Sequence, residues 1–231
     1  MLRFFLNIYI YIFIFKIMNK PFFVSLTLSV FITILSCSTT TKPAEKIVDK
    51  TVYGTLEKAY FASGCFWCVE AVFESLKGVK ESVSGYSGGH TKNPTYEDVN
   101  TETTGHAESV EVLYDPKIIS YATLLKVYFG SQDPTQVKGQ GPDRGDSYRS
   151  IIFYQNETEK TLAENYKKEL NTSGKYKKPI AVEIVPFKVF WKAEGYHQDY
   201  ERNHPENPYV QNVSIPRLER MKAQFPELLK K

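Results

Sequence analysis

Read by the spacing of its apolar positions, the chain changes character twice. Residues 4–15 form one apolar run ended by Lys16, and a second, Phe22 to Leu35, closes at Ser36-Cys37. Each falls short of the roughly 20 apolar residues that span a bilayer. Residues 38–55 contain Thr, Lys and Pro with little apolar periodicity, the pattern of a tether. From Leu56 the pattern becomes that of a packed domain. Leu56–Ala62 predicts a strand, ended by Ser63-Gly64. Phe66, Val69, Val72, Phe73 and Leu76 recur at helical spacing over residues 65–77, which Gly78 terminates. Val79–Tyr86 predicts a strand running into Ser87-Gly88-Gly89. Ser109–Tyr114 predicts another, with Val110, Val112 and Tyr114 alternating and Asp115-Pro116 closing it. Residues 120–129 read as a helix with Ser120 as N-cap. Tyr148–Tyr154 is a strand, Glu157–Leu170 a helix and Ile180–Val185 a strand. The last 45 residues are aromatic and irregular, then helical from about Pro216. Strands interleaved with helices, and no internal repeat, give one mixed α/β domain over residues 56–231. Residues 131–147 have no apolar period, and a loop of that length inside a compact domain is usually functional.

Composition fits an ordinary globular chain, 42% hydrophobic and 24% charged over 231 residues. The net charge of +3 comes from the first 36 residues, which hold Arg3, Lys16 and Lys20 and no acidic side chain. The remainder carries 29 − 3 = 26 basic groups against 26 acidic ones, so charge gives no argument for nucleic-acid binding. The segment from Met18 has the order of an export signal: Lys20, an apolar centre and a small residue at the end. Residues 1–36 are therefore expected to be an export signal, whose true start is Met18 or Met1. Ile34-Leu35-Ser36-Cys37 resembles a bacterial lipobox, which makes Cys37 a lipidation site and the protein an exported, membrane-anchored lipoprotein of the periplasm or cell envelope. The competing reading is one uncleaved anchor helix broken near residues 16–21.

Chemistry concentrates at Cys65-Phe66-Trp67-Cys68. A cysteine at the first turn of a helix meets free amides and a partial positive charge, which predicts a lowered pKa for Cys65 and places Cys68 within its reach. A C-x-x-C pair has three readings: zinc, dithiol exchange, or a nucleophile with a resolving partner. Zinc needs further ligands, and no two of His90, His106, His197 and His204 fall at H-x₃₋₅-H spacing. Dithiol exchangers favour Trp before the first cysteine and Pro between the pair, where this chain has two large aromatics. Two plain core cysteines fit poorly with the turn at Gly64.

Gly64-Cys65-Phe66-Trp67 resembles the signature of the A-type peptide-methionine sulfoxide reductases, the MsrA family. Further blocks resemble that family in its order: Gly85-Tyr86-Ser87-Gly88-Gly89, Tyr96-Glu97-Asp98-Val99, Thr104-Gly105-His106-Ala107-Glu108, Asp143-Arg144-Gly145 with Ser147-Tyr148-Arg149-Ser150, and Tyr196-His197-Gln198-Asp199-Tyr200. They cover roughly residues 56–205. The resemblance implies an α+β two-layer sandwich, ferredoxin-like, with a mixed sheet and packed helices. It implies a repair oxidoreductase that reduces methionine S-sulfoxide, in proteins and as the free amino acid. Cys65 attacks the sulfoxide sulfur. Glu108, kept neutral by a dry site, protonates the leaving oxygen. Tyr96 and Tyr148 hydrogen-bond that oxygen, Asp143 is a polar site residue, and Phe66 and Trp67 line a pocket for the S-methyl group. Cys65 becomes a sulfenic acid and a second thiol condenses with it.

Unlike many members, the chain has no cysteine after Cys68, so Cys68 is the expected resolving residue, recycled by an external thioredoxin-like thiol. Without the block matches, Tyr96 and Tyr148 read as core or surface rings and Glu108 as a solvated charge at a strand edge. His106 reads as structural, and His197 as satisfied locally within a packing element. No bound cofactor and no metal is expected, and the expected partners are oxidised proteins or peptides, the reductant and a lipid anchor, with the protein a monomer. The rival readings are an exported thioredoxin-like dithiol-disulfide oxidoreductase using Cys65 and Cys68, and a lipoprotein that binds peptides through its aromatic C-terminal region.

Overall fold

The computed structural model describes residues 55–231. The export signal, Cys37 and all but the end of the tether lie outside the described residues. Among the described residues no helix is long and apolar enough to cross a membrane.

The elements run β1 (Glu57–Ala62), α1 (Phe66–Glu74), β2 (Val79–Ser87), α2 (Tyr96–Asn100), β3 (Ala107–Tyr114), α3 (Tyr121–Gly130), β4 (Gly139–Gln140), β5 (Asp143–Arg144), β6 (Ile151–Tyr154), α4 (Glu157–Thr172), β7 (Glu183–Pro186), β8 (Phe190–Lys192), α5 (Tyr200–Asn203) and α6 (Ile215–Gln224). Six strands form one sheet in the order β7-β6-β1-β3-β2-β8, and β4 and β5 make a separate hairpin. Only β6–β7 is parallel, so the sheet is mixed. The strand and helix order matches the apolar pattern with shifts of a few residues. Tyr148 belongs to a short 3₁₀ turn ahead of β6 rather than to the strand, and β7 begins at Glu183 rather than Ile180. The five-residue α2 and three-residue β8 carry too few positions to show a period.

Alternation along β1 divides the core between the two faces of the sheet. Ala59 and Phe61 join the large core under α1, α3, α4 and α6, where Phe61 stacks on Phe73 and Tyr128. Tyr60 and Ala62 face a smaller cluster with Ala107, Ile151 and Phe153, covered by Phe187 and Phe190. Ser120 caps α3 by accepting from the Thr123 amide at 3.2 Å. Asn156 caps α4 by accepting from Glu159 at 3.0 Å, and Asn171 accepts from the Ile180 amide at 2.8 Å. Both asparagines thus serve the fold.

Two glycines are required where the sheet meets the site. Gly64, between β1 and α1, has φ +70°, and a Cβ there would lie 2.6 Å from Gln140 Cβ. Gly85 in β2 lies against β8, where a Cβ would stand 2.3 Å from the Phe190 ring and 2.4 Å from the Trp191 carbonyl.

Candidate active site

Cys65 occupies the N-cap of α1, and Cys68 lies on its first turn. Both are free thiols, 7% and 2% exposed, neighbours at the start of the same helix. Gly64 anchors the turn, its amide donating to the Tyr148 carbonyl at 3.2 Å. The β2–β3 register then delivers the acid. Glu108 shares strand parity with Val110, Val112 and Tyr114, so the pleat turns it to the helix side of the sheet, opposite Tyr86. Its Oε2 accepts the Phe66 amide at 2.9 Å. Glu108 is 2% exposed and lies within β3, not at a solvated edge before it.

Cys65, Phe66, Trp67, Tyr96, Glu108, Asp143 and Tyr148 line one cavity of about 350 Å³, together with Asn207 and Tyr209. The structure thus gathers the predicted catalytic and pocket residues from α1, α2, β3, β5 and the turn before β6. Tyr96 opens α2, which Thr95 and Asp98 cap reciprocally, and its amide donates to Glu194 Oε1 at 3.0 Å. Ser147, beside Tyr148, is fixed by Glu102 through its amide at 3.0 Å and its hydroxyl at 2.6 Å. Trp67 stacks on Tyr200 with centroids 3.7 Å apart, and its Nε1 donates to His197 Nδ1 at 3.1 Å. The block at 196–200 is thus a packing element against Trp67. His197 is hydrogen-bonded on one side only, its buried Nε2 lying 3.8 Å from Glu194 Oε2 without a hydrogen bond. His106 is structural: Nδ1 accepts the Gly89 amide at 3.1 Å and Nε2 lies 2.9 Å from the Thr91 carbonyl.

Electrostatics favour the acid. Burial pushes the Glu108 carboxyl up to about 8, opposed by the Phe66 amide and reinforced by Asp143, so it is neutral near pH 7. Burial likewise raises Tyr96 and Tyr148, leaving both phenols protonated as donors.

The expected lowering of Cys65 is not found. Burial raises Cys65 well above its ordinary value, and its hydrogen bond with Cys68 and the charge of Glu108 add to this, while the Trp67 amide opposes it. A helix terminus contributes about 0.3–1 kcal/mol, less than one pKa unit, whereas full burial moves a thiol by up to roughly 3–5 units. Cys68 instead falls to about 7, because Cys65 donates to it and Arg217 lies near. The pair therefore gives up its first proton near neutrality, a step that belongs to the two thiols together.

Two contributors escape the apolar pattern. Tyr209, from the irregular C-terminal stretch, donates to Asp143 Oδ2 at 2.6 Å and lies 3.9 Å from Cys68 Sγ. Arg217 of α6 is buried and donates to the Ser131 carbonyl at 2.9 Å, the Ser63 carbonyl at 2.8 Å and the Ser63 hydroxyl at 3.0 Å. A lone Tyr among 16 has no distinguishing signal. Arg217 has one, because it falls one turn before Met221 on the inward face of α6. Among the described residues, the one trio of clustered potential metal ligands is Glu70, Glu74 and Asp199, where Arg202 pairs with Glu74 and Asp199.

The family profile described as Peptide methionine sulfoxide reductase matches residues 57–229. The chain is 49% identical over 174 residues to peptide methionine sulfoxide reductase MsrA of Thermus thermophilus, covering 75% of this chain and 98% of that one. It is 50% identical over 159 residues to the MsrA of Listeria monocytogenes, covering 68% and 90%. Among solved structures it is similar to Mxr1 from Saccharomyces cerevisiae in reduced form, with TM-score 0.63 and 30% identity over 67% of this chain and 88% of that one. It also resembles methionine sulfoxide reductase A of Corynebacterium diphtheriae, with TM-score 0.60 and 33% identity over 66% and 77%.

Proposed function

The chain belongs to the peptide methionine sulfoxide reductase family, and from that premise we propose how its own residues carry the reaction. It reduces methionine sulfoxide. The observation that carries the mechanism is a carboxyl held neutral by burial, bound to the first amide of α1 and sharing one pocket with Cys65.

The S-methyl group enters between Phe66 and Trp67, and the sulfoxide oxygen accepts from Tyr96 and Tyr148. Cys65 passes its proton to the Cys68 thiolate as its sulfur attacks, while Glu108 gives its proton to the sulfoxide oxygen. The protonated oxygen then passes from the substrate sulfur to the Cys65 sulfur: the S–O bond of the substrate and the new sulfur–sulfur bond break, an electron pair stays with methionine as it leaves, and the bond formed to oxygen makes Cys65 a sulfenic acid. Cys68 then attacks that sulfur, water leaves and a disulfide closes. First-turn placement of both thiols supports Cys68 as the resolving residue, since the bond closes within one turn of α1. A dithiol protein of the thioredoxin class restores the pair. A plain dithiol exchanger needs no acid for a departing oxygen, and Glu108 has no role in that reading.

The reading extends to the S-epimer, to sulfoxides within oxidised proteins, and to an exported enzyme tethered through Cys37. The basic, then apolar, then small-residue order before Cys37 supports the export and anchoring.

A single-turnover assay of the reduced enzyme with separated S- and R-epimers of a methionine sulfoxide peptide tests the mechanism. The expected result is one methionine per enzyme, from the S-epimer alone, with two thiols lost. Methionine with one thiol lost rejects Cys68 as resolver, and no methionine from either epimer rejects the mechanism.

A further inference from the structure

The two thiols stand in the walls of different cavities. Cys65 lines the 350 Å³ substrate pocket, whereas Cys68 lines a second cavity of about 760 Å³ between the β4–β5 hairpin and the start of α6. Asp143 and Tyr209 belong to both walls, and the 2.6 Å hydrogen bond between them makes the partition, with the Tyr209 hydroxyl 3.9 Å from Cys68 Sγ. Five carboxamide side chains, Gln132, Gln136, Gln140, Asn212 and Gln224, line the larger cavity. One of them, Gln132, accepts three hydrogen bonds at Oε1, from Ser63, Gln140 and Ser150, while its buried Nε2 donor has no partner.

The geometry points to the larger cavity as the docking site for the cysteine-bearing loop of a dithiol reductant protein, which reaches the Cys65–Cys68 disulfide at Cys68 while methionine sulfoxide reaches Cys65 from the other side. This rests on Cys68 being the resolving residue. Disulfide exchange is in-line, so a thiolate entering the larger cavity attacks Cys68 Sγ and displaces Cys65. Room selects that route. A cysteine sulfur stands one methylene closer to its backbone than a methionine sulfur does, so the reductant's main chain must approach more closely than a substrate's. The larger cavity offers that space; Gln136 is held by Gly141, Gln140 by Gln132 and Asp133 and Asn212 by Pro208, which leaves the unpartnered Gln132 Nε2 as the donor for a peptide carbonyl.

The step balances. The reductant thiolate forms a bond to Cys68, the Cys65–Cys68 bond breaks, and the electron pair passes to Cys65, which takes up a proton. The reductant's second thiol then attacks its own first sulfur and releases Cys68 reduced, the reductant leaving as a disulfide.

The test uses the full chain, oxidised by one turnover, and follows re-reduction by a thioredoxin-class protein and by dithiothreitol. Asn212→Trp narrows the larger cavity without touching the substrate pocket. It should leave the first methionine burst unchanged and slow re-reduction by the protein dithiol about tenfold or more, with a smaller effect on dithiothreitol. Gln136→Trp on the opposite wall should do the same, which covers a variant that fails to fold. Saturating free methionine, which fills the substrate pocket, should leave re-reduction unchanged. Wild-type re-reduction rates in both tryptophan variants, equal slowing for both reductants, or inhibition by methionine overturns the proposal. Two further outcomes are separable: no methionine burst sinks the reaction mechanism, and a burst with one thiol lost removes Cys68 as the target and the docking site with it.

Discussion

At the scale of single residues, Glu108 must be uncharged to donate a proton and the thiol pair must be charged to attack. Cys68 at about 7 and Glu108 at about 8 leave a narrow window in which both hold. The turnover rate should rise with pH through about 7 and fall through about 8, a bell whose limbs belong to the coupled site. Glu108→Gln should slow sulfoxide reduction by roughly 10²–10⁴-fold and remove the alkaline limb, as read in a single-turnover pH profile. Cys68→Ser should yield one methionine per enzyme, more slowly, and then stall with a thioredoxin-type reductant. Linkage adds a stability signature. The folded pKa of Glu108 lies above its unfolded value of 4.5, so its contribution is full below about 4.5 and is lost as pH rises through about 8. Differential scanning fluorimetry should therefore find Glu108→Gln gaining stability relative to wild type between pH 5 and pH 8.5. The apolar pattern alone starts the strand at Ser109 and leaves Glu108 at a solvated edge; β3 begins at Ala107, so the Val110–Val112–Tyr114 alternation extends one step further and turns Glu108 to the core face. Cys65 misleads for a different reason: local sequence reports the helix terminus, whereas desolvation is set by aromatic side chains from distant segments.

At the scale of elements, α1 is positioned from both ends of the chain. Gly64 sets its entry angle, and Arg217 of α6 grips the residue before that turn. Gly64→Ala strains a left-handed backbone and drives a methyl group into Gln140, so it should destabilise the fold by roughly 1–3 kcal/mol in urea unfolding. Arg217→Met leaves the Ser63 and Ser131 carbonyls without their donor and Cys68 without a nearby cation. It should cost roughly 2–4 kcal/mol and raise the pH at which the thiol pair first reacts with iodoacetamide. The long elements were readable because each carries a full apolar period, and Ser120 and Asn156 mark helix starts by their side-chain chemistry. Short α2 has no apolar period and was not read from the sequence; the one local signal it carries is its cap, Thr95 with Asp98 three residues on. The hairpin β4–β5 has two residues per strand and is held by Gln140, bonded to Gln132 and Asp133 and lying against Gly64, and by Asp143, bonded to Tyr209, contacts that no apolar period encodes.

At the scale of the whole molecule, the proposed export signal and the repair domain share one chain. Replacing Cys37 with serine should move the enzyme from the membrane fraction to the soluble fraction, with its rate on a sulfoxide peptide unchanged, as fractionation and assay would show. Retention in the membrane fraction would instead favour an uncleaved anchor. The chain has two tryptophans, Trp67 and Trp191. Trp67 lies face to face with Tyr200, two residues from Cys65 and one from Cys68, whereas Trp191 belongs to β8 at the sheet edge. The first is thus a built-in optical gauge of the cycle and the second its reference. Emission from Trp67 should dim when the disulfide closes beside it and recover on reduction, so stopped-flow light could time each half of the cycle in unlabelled enzyme, with Trp67→Phe as the dark control.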